Sequence, residues 1–220
     1  MTCALPNQIA IDGPAASGKT TVGMAIATKY GYLFLDTGLM YRAVTLAAMK
    51  QGIPAKGRAL GPFMKTLDLD VRATSDGTQI RLAGEDVTSR LSHPDVEHNV
   101  SRYAAVPLVR TAMVRQQRLI AATAPSVLAG RDIGTVVLPA APLKFYLVAS
   151  ETARATRRAI QAAQGASDAR KDISNRDTTD STRTTSPLMP AEDAIVIDTT
   201  ELTLQEVVAF ALERVACGNG

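Results

Sequence analysis

The chain has 220 residues, of which 46% are hydrophobic and 20% are charged, and this balance excludes a disordered, collagen-like or coiled-coil protein. At this length the chain forms one well-buried domain, or a core domain that carries small inserts. Its 24 Lys and Arg residues outnumber its 21 Asp and Glu residues by only three, an excess too small to indicate a nucleic-acid partner.

Five short apolar runs predict β-strands that are buried on both faces, because none of them alternates with polar residues. In chain order they are residues 9–11, 33–35, 127–129, 145–148 and 195–197. Helices are predicted at residues 20–30, 38–50, 107–122 and 151 to about 164, with a last helix that begins at a capping box formed by residues 203–206. Strands that alternate with helices in this way predict an α/β fold with a five-stranded parallel sheet.

Two stretches interrupt the alternation. Residues 67–90 alternate in polarity around an Asp-Gly pair, which predicts a β-hairpin and therefore a small insert. Residues 174–186 contain eight Ser or Thr among thirteen residues and almost no apolar side chain, which predicts a mobile loop that closes as a lid. A disordered surface loop is the alternative, and the placing of Arg176, Asp180 and Arg183 within this stretch favours the lid.

Residues 13–20, the phosphate-binding loop, read GPAASGKT and match the pattern G-x-x-x-x-G-K-[ST]. The match follows an apolar strand that ends at Asp12 and leads into a predicted helix, as the motif requires. In such a loop backbone N–H groups surround phosphate oxygens, Lys19 reaches the β and γ phosphates, and the Thr20 hydroxyl holds Mg²⁺. The motif therefore predicts a nucleoside triphosphate site, and a glycine-rich turn without a ligand is the alternative.

Cysteines and targeting segments give no functional signal. Cys3 and Cys217 lie near opposite ends of the chain with no further ligand group beside them, so they predict neither a zinc site nor a disulfide framework. The N-terminus lacks a basic segment followed by an apolar one, and the sequence contains no apolar run long enough to span a membrane. We therefore expect a cytoplasmic protein with no membrane partner.

A phosphate-binding loop serves both phosphotransferases and GTP-dependent switches. A switch needs D-x-x-G and normally N-K-x-D, and neither pattern occurs in this chain. A kinase instead needs a second phosphate site, for which arginine is suited because its guanidinium binds phosphate in a bidentate manner. Arg42 and Arg131 follow predicted strands at the edge where open α/β sheets bind ligands. Further candidates are Arg110, Arg176 and Arg183.

Five segments carry a resemblance to a known family. They read IDGPAASGKTT, LDTGLMYRA, SRYAAVPLVRTAMVRQQR, GRDIGTVVLP and RDTTDSTRTTSPL. Together they resemble the bacterial cytidylate kinases over nearly the whole chain. The resemblance implies that ATP donates its γ-phosphoryl group to CMP or dCMP in the presence of Mg²⁺. We expect only these small-molecule substrates as partners, and a monomer.

The same resemblance implies a division of the chain. It predicts a P-loop core with a five-stranded parallel sheet flanked by helices, a small β-containing insert that binds the monophosphate, and a short lid. The core would comprise residues 1–66 and 102–220, with the lid at about 158–187. The insert would comprise residues 67–101, which contain the predicted hairpin.

Two sets of site residues follow from the resemblance. Those assigned to ATP are Gly13, Pro14, Ala15, Ala16, Ser17, Gly18, Lys19, Thr20 and Thr21. Those assigned to the monophosphate are Thr37, Arg42, Ser101, Arg110, Arg131, Asp132, Arg176, Asp180 and Arg183.

The chemistry of the second set agrees with these assignments. The Asp132 carboxylate can accept a hydrogen bond from the exocyclic amino group of cytosine, and Arg110 and Ser101 can donate to the acceptor edge of the ring. Asp180, with Arg176 beside it, suits the ribose hydroxyls. The remaining arginines suit the α-phosphate; they are Arg42, Arg131 and Arg183.

Arg154, Arg157 and Arg158 lie three and four residues apart at the start of a predicted helix, so we expect them to share one face. This face would approach the phosphates when the lid closes, and we assign Arg157 and Arg158 to ATP. For Arg154, a solvated basic helix face is an equal alternative.

Phosphoryl transfer depends mainly on positioning and on neutralising charge. We therefore expect electrostatic catalysis by Lys19, Arg131 and Arg183, with Thr20 as the metal ligand and Lys19 facing solvent at the helix start. Lid closure would exclude water that otherwise hydrolyses ATP. Asp36 either orders a metal-bound water or caps the helix that follows it.

Overall fold

The structure, a computed structural model, describes residues 4–162, 166–182 and 186–217. In chain order the strands are β1 (Gln8–Asp12), β2 (Leu33–Asp36), β3 (Leu69–Thr74), β4 (Gly77–Leu82), β5 (Glu85–Asp86), β6 (Ser126–Gly130), β7 (Leu143–Val148) and β8 (Ile195–Asp198). The α-helices are α1 (Lys19–Tyr30), α2 (Thr37–Lys50), α3 (Leu60–Thr66), α4 (Pro94–Ala104), α5 (Pro107–Ala121), α6 (Glu151–Ala162), α7 (Ala166–Thr182) and α8 (Leu204–Cys217). A 3₁₀ turn covers Thr88–Ser92, and a π-helical turn covers Ile133–Val137.

One sheet runs through the molecule in the order β5-β4-β3-β2-β6-β1-β7-β8. The five strands β2, β6, β1, β7 and β8 are parallel to one another, which confirms the predicted five-stranded parallel sheet. The carboxyl ends of β1, β2 and β6 therefore meet at one edge, where open α/β sheets bind ligands.

The predicted hairpin is formed by β3 and β4, which pair in antiparallel register from Leu69 opposite Leu82 to Thr74 opposite Gly77. It continues the core sheet, because β3 also pairs with β2. The Thr78 hydroxyl fixes this junction by donating to the Phe34 carbonyl at 2.8 Å and accepting from the Asp36 N–H at 2.9 Å. The hairpin is thus attached to the strand that ends in the site.

Apolar side chains cover both faces of the parallel strands. In β1, Ile9 and Ile11 point into the core under α1 and α8, whereas Ala10 points into the core under α2 and α5. All three side chains are fully buried. Burial on both faces is the physical reason why these strands show no alternation in the sequence.

Helix α8 begins at the predicted capping box. The Thr203 hydroxyl accepts from the Glu206 N–H at 3.3 Å, and the Glu206 carboxylate accepts from the Thr203 N–H at 2.8 Å. These two reciprocal bonds satisfy backbone donors at the helix start.

None of the helices within the described ranges has the length and apolar character that a membrane span needs.

The prediction of a loop at residues 174–186 is wrong for residues 174–182, because these residues belong to helix α7. Ile173, just before this stretch, is 1% exposed and packs against Ala15 and Ala155. Asp177 and Asp180 form ion pairs with arginines of the core. A polar sequence can thus be held as a helix by charged contacts, which composition alone does not show.

Candidate active site

A cavity opens at the carboxyl ends of β1, β2 and β6, between the phosphate-binding loop and helix α4. From the residues predicted for ATP, its lining includes Ala15, Ala16, Gly18, Lys19, Thr20 and Thr21. From the residues predicted for the monophosphate, it includes Thr37, Arg42, Ser101, Arg110, Arg131, Asp132 and Asp180. The structure therefore brings most of the two predicted sets together in one cavity.

Glycine is required at two positions of the phosphate-binding loop. Gly13 has a φ of 147°, and a Cβ atom there would lie 2.2 Å from the Leu147 carbonyl oxygen. Gly18 has a φ of 98° and is the N-cap of α1. Both φ values are in the range that other residues rarely adopt. The loop thus places the start of α1 at the cavity, as phosphate binding by a helix N-terminus requires.

The expectation that Lys19 faces solvent is wrong, because its side chain is folded into the loop and the residue is only 9% exposed. Its ammonium group donates to the Pro14 carbonyl at 2.6 Å and to the Ser17 hydroxyl at 3.4 Å. Burial lowers the pKa of Lys19 well below its ordinary value, and the nearby Arg131 guanidinium lowers it further. An anionic phosphate beside this ammonium would favour its charged form.

Thr20 and Asp36 are in direct contact. The Thr20 hydroxyl donates to Oδ2 of Asp36 at 3.0 Å, and Oδ1 of Asp36 accepts from the Gly38 N–H at 3.0 Å. Asp36 therefore caps α2 and also touches the predicted metal ligand, so both interpretations of this residue are compatible with its geometry. No group of three His, Cys, Asp or Glu side chains suited to a metal occurs in the described part of the chain.

Asp12 is a site residue that the sequence analysis missed. Its two carboxylate oxygens accept from the Ile133 N–H and the Gly134 N–H, each at 2.7 Å. The residue is 3% exposed, and burial raises its pKa to about 6 although these two hydrogen bonds act in the opposite direction. Asp12 thereby holds the turn that carries Arg131 and Asp132. An acidic residue at the end of an apolar strand, directly before the loop motif, is the sequence signal for it.

Asp132 and Arg110 form an ion pair that is almost completely buried. Arg110 also donates to the Ser186 hydroxyl and to the Ala104 carbonyl, both at 3.3 Å. Its guanidinium carbon lies 5.5 Å from the centre of the Tyr41 ring, a cation–π distance. The pair is therefore fixed in place, with one acceptor and one donor group side by side at the cavity wall.

Helix α7 reaches the cavity through Asp180. Nε of Arg131 donates to the Asp180 carboxylate at 2.7 Å, and a terminal nitrogen of Arg131 donates to the Gly13 carbonyl at 3.0 Å. Two further predicted residues of this region are not described in the same detail. Arg183 lies outside the described residues, and only the backbone of Arg176 is described, within α7.

The three arginines of α6 have different environments, so the expectation of one shared phosphate-facing surface is wrong. Arg154 is 7% exposed and donates to the Ala15 carbonyl at 3.3 Å and to the Asp177 carboxylate at 2.5 Å. A solvated position for Arg154 is therefore excluded. Arg158 lines the cavity and pairs with Glu97 of α4, a residue that the sequence analysis did not single out.

Arg157 lies in a second cavity on the other side of the phosphate-binding loop. It donates to the Thr199 hydroxyl at 2.9 Å and to the Thr199 carbonyl at 2.5 Å. The other residues lining this cavity are parts of the loop and of α1, together with apolar residues around the start of α8; they are Ala16, Ser17, Gly18, Thr21, Val22, Leu202, Leu204 and Val207. The two arginines that were assigned to ATP thus lie in different cavities.

Comparison with known proteins gives one consistent result. Residues 9–216 match the family model described as Cytidylate kinase. A cytidylate kinase from Limosilactobacillus reuteri is 46% identical over 209 residues, which cover 92% of this chain and 92% of that protein. Cytidylate kinases from Exiguobacterium sibiricum and Streptococcus sanguinis are each 44% identical, with 94% of this chain and 95% of the relative covered.

Proposed function

Because the chain belongs to the cytidylate kinase family, we propose that it transfers the γ-phosphoryl group of ATP to CMP or dCMP, giving ADP and CDP or dCDP. One observation carries this proposal: a single cavity is lined by the phosphate-binding loop and by the buried Arg110–Asp132 pair. The loop is suited to a triphosphate, and the pair is suited to a base that presents both a donor and an acceptor.

The donor nucleotide binds on the phosphate-binding loop. Its phosphates lie at the start of α1, where Lys19 exchanges its contact with the Pro14 carbonyl for phosphate oxygens. The adenine lies in the second cavity, whose apolar side chains suit a base and where the Arg157 guanidinium can stack on its face.

The acceptor base is read by Asp132 and Arg110. Cytosine presents its amino group, a donor, beside its ring nitrogen, an acceptor, and these complement the carboxylate and the guanidinium. Uracil presents a carbonyl oxygen in place of the amino group, which would leave the Asp132 carboxylate facing another acceptor. Two buried acceptors that face each other repel and form no hydrogen bond, which is costly, so the site discriminates between the two bases.

The residues at the loop fit a magnesium ion. A hydroxyl from Thr20 and a carboxylate from Asp36 lie 3.0 Å apart, and Mg²⁺ is commonly held by one or two protein oxygens together with substrate phosphates. When bound, Mg²⁺ neutralises charge on the phosphates of ATP. Thr20 and Asp36 are therefore the residues that we assign to it.

Transfer is electrostatic and needs no general base, because the attacking phosphate oxygen of CMP is already anionic. Lys19 and Arg131 lie close to each other at the loop and neutralise the transferred group. Arg183 joins them as a prediction from the sequence. The α7 helix, tied to Arg131 through Asp180, covers the site and excludes water.

The organisation of the chain into a core, a monophosphate-binding insert at residues 67–101 and a lid remains part of this proposal. A monomeric state, a cytoplasmic location and the absence of a nucleic-acid partner also remain predictions from the sequence.

An assay that couples ADP formation to a readout tests the function. The purified protein with ATP and Mg²⁺ should form ADP rapidly with CMP or dCMP and slowly with UMP, AMP or shikimate. Chromatography should show CDP formed in equal amount to ADP. ADP formation at the same rate with and without CMP would mean hydrolysis and would contradict the proposal.

A further inference from the structure

Glu97 on helix α4 is a buried carboxylate that contacts two arginines from different helices. Its Oε1 lies 3.4 Å from a terminal nitrogen of Arg42 on α2, and its Oε2 pairs with Arg158 on α6. The Glu97 side chain is 9% exposed, whereas those of Arg42 and Arg158 are 18% and 20% exposed. The carboxylate therefore lies deeper than the two guanidinium groups that it joins.

The two arginines line the cavity, and the described lining does not include Glu97. Glu97 thus contacts both arginines without being part of that lining. Nε of Arg42 is buried and has no hydrogen-bond partner among the described residues, so the free protein leaves this donor unused. A phosphate group, with several acceptor oxygens, is the ligand that such a pair of guanidinium groups suits.

Glu97 also bears on the part of the site that faces the base. Ser101 follows it by four residues on α4, and residues four apart lie on the same face of a helix. Because Glu97 ties α4 to α2 and α6, it also fixes the position of Ser101 at the cavity wall.

We propose that Glu97 is a positioning residue for the monophosphate: it holds Arg42 and Arg158 so that both guanidinium groups converge on the phosphate of the acceptor nucleotide. The sequence assigned Arg158 to ATP, but its pairing with Glu97 beside Arg42 favours the acceptor. Glu97 acts through the arginines and does not touch the substrate, since a carboxylate beside a phosphate would repel it. The inference rests on the proposed function for the identity of the anion.

Replacing Glu97 by Gln removes the charge and keeps the shape. Glu97→Gln should raise KM for CMP about tenfold, while KM for ATP and kcat change less than about twofold. A general loss of structure would instead change both KM values and lower the unfolding temperature. Glu97→Asp retains the charge with a shorter reach, so its KM for CMP should lie between those of wild type and Glu97→Gln.

The matched control is Glu85→Gln. Glu85 also contacts two cationic side chains, Arg90 at 2.7 Å and Lys50 at 3.9 Å, but it is exposed and lies outside the cavity lining. This variant should leave both KM values unchanged. In the double variant Glu97→Gln with Arg158→Ala, the rise in KM for CMP should be smaller than the product of the two single rises. The reason is that both substitutions remove the same contact, that of the positioned Arg158 guanidinium with the phosphate.

The outcomes separate the two proposals. A wild-type protein that does not phosphorylate CMP contradicts the proposed function. An active wild type whose Glu97→Gln and Glu97→Asp variants have an unchanged KM for CMP overturns only the role of Glu97. A fall in that KM also overturns it, because Glu97 would then compete with the substrate phosphate for the arginines.

Discussion

Arg131 and Asp180 form an ion pair at 2.7 Å that joins the end of strand β6 to helix α7. The same guanidinium donates to the Gly13 carbonyl, so one side chain links the phosphate-binding loop, the acceptor-facing turn and the helix that covers them. Arg154 forms a parallel link, from α6 to the Ala15 carbonyl and to Asp177. Two of the contacts that hold helix α7 over the site are thus made by arginines that also contact the loop.

Removing one of these links should loosen α7 locally. In Asp177→Asn the partly buried pair with Arg154 loses its charge, and such a bond is worth about 1–2 kcal/mol. Amide hydrogens of residues 174–182 should then exchange roughly five- to thirtyfold faster in the nucleotide-free protein. Hydrogen exchange followed by mass spectrometry measures this change.

The pair between Glu151 and Arg170 provides a control for that experiment. It also joins α6 to α7, but both side chains are exposed, and exposed pairs contribute little to stability. Glu151→Gln should therefore leave the exchange of residues 174–182 unchanged. Equal effects of the two substitutions would show that the buried contact with Arg154 does not anchor α7.

Lys19→Ala should reduce phosphoryl transfer by several orders of magnitude, because no other ammonium group lies in the described lining of the cavity. Since Lys19 is buried, Lys19→Met is the better matched variant: it removes the charge and keeps most of the volume. Steady-state kinetics of both variants measure the loss of phosphoryl transfer, and circular dichroism verifies that the variants are folded. Activity within about tenfold of wild type, a change below about 1.4 kcal/mol in the barrier, would contradict the role of Lys19.

Asp12 should make stability depend on pH. Its pKa is 3.8 in the unfolded chain and about 6 in the folded protein, so the native state binds more protons between these values. The stabilisation that protonated Asp12 provides is complete below about pH 4 and is lost as pH rises through about 6. The difference in unfolding free energy between wild type and Asp12→Asn should thus fall by about 2 kcal/mol from pH 4 to pH 7.

Urea denaturation at a series of pH values measures this difference. Asp193→Asn serves as the control, because a hydrogen bond from Lys144 lowers the pKa of Asp193 and moves its titration below this range. Its difference from wild type should be flat between pH 4 and pH 7. A flat difference for Asp12→Asn as well would show that burial does not perturb Asp12.

The sequence predicts those parts of the fold whose signals are local. The parallel strands are continuous apolar runs, the phosphate-binding loop is a contiguous motif, and Thr203 and Glu206 are three residues apart. Glu97 has no such signal, and the local signal at Asp12, an acidic residue directly before the loop motif, does not show which groups it contacts. Asp12 binds a backbone N–H 121 residues further along the chain, and Glu97 contacts an arginine 55 residues before it.

Composition misleads where charged contacts replace apolar ones. Residues 174–182 contain no large apolar side chain, and yet Asp177 and Asp180 anchor them as a helix on Arg154 and Arg131. Arg154 likewise owes its burial to charged contacts, so the sequence alone does not distinguish it from a solvated arginine. Only the packing of α6 against α7 and the phosphate-binding loop reveals its burial.

Kinetics with CMP and with UMP, for the wild type and for Asp132→Asn, show whether Asp132 reads the base. The wild type should prefer CMP over UMP in kcat/KM by at least about a hundredfold, because uracil would place a carbonyl oxygen against the buried Asp132 carboxylate, and two acceptors form no hydrogen bond. Asp132→Asn should reduce this preference at least about tenfold, since an amide can donate as well as accept. A wild type that uses both nucleotides equally, or a variant with an unchanged ratio of the two kcat/KM values, would contradict reading of the base by Asp132.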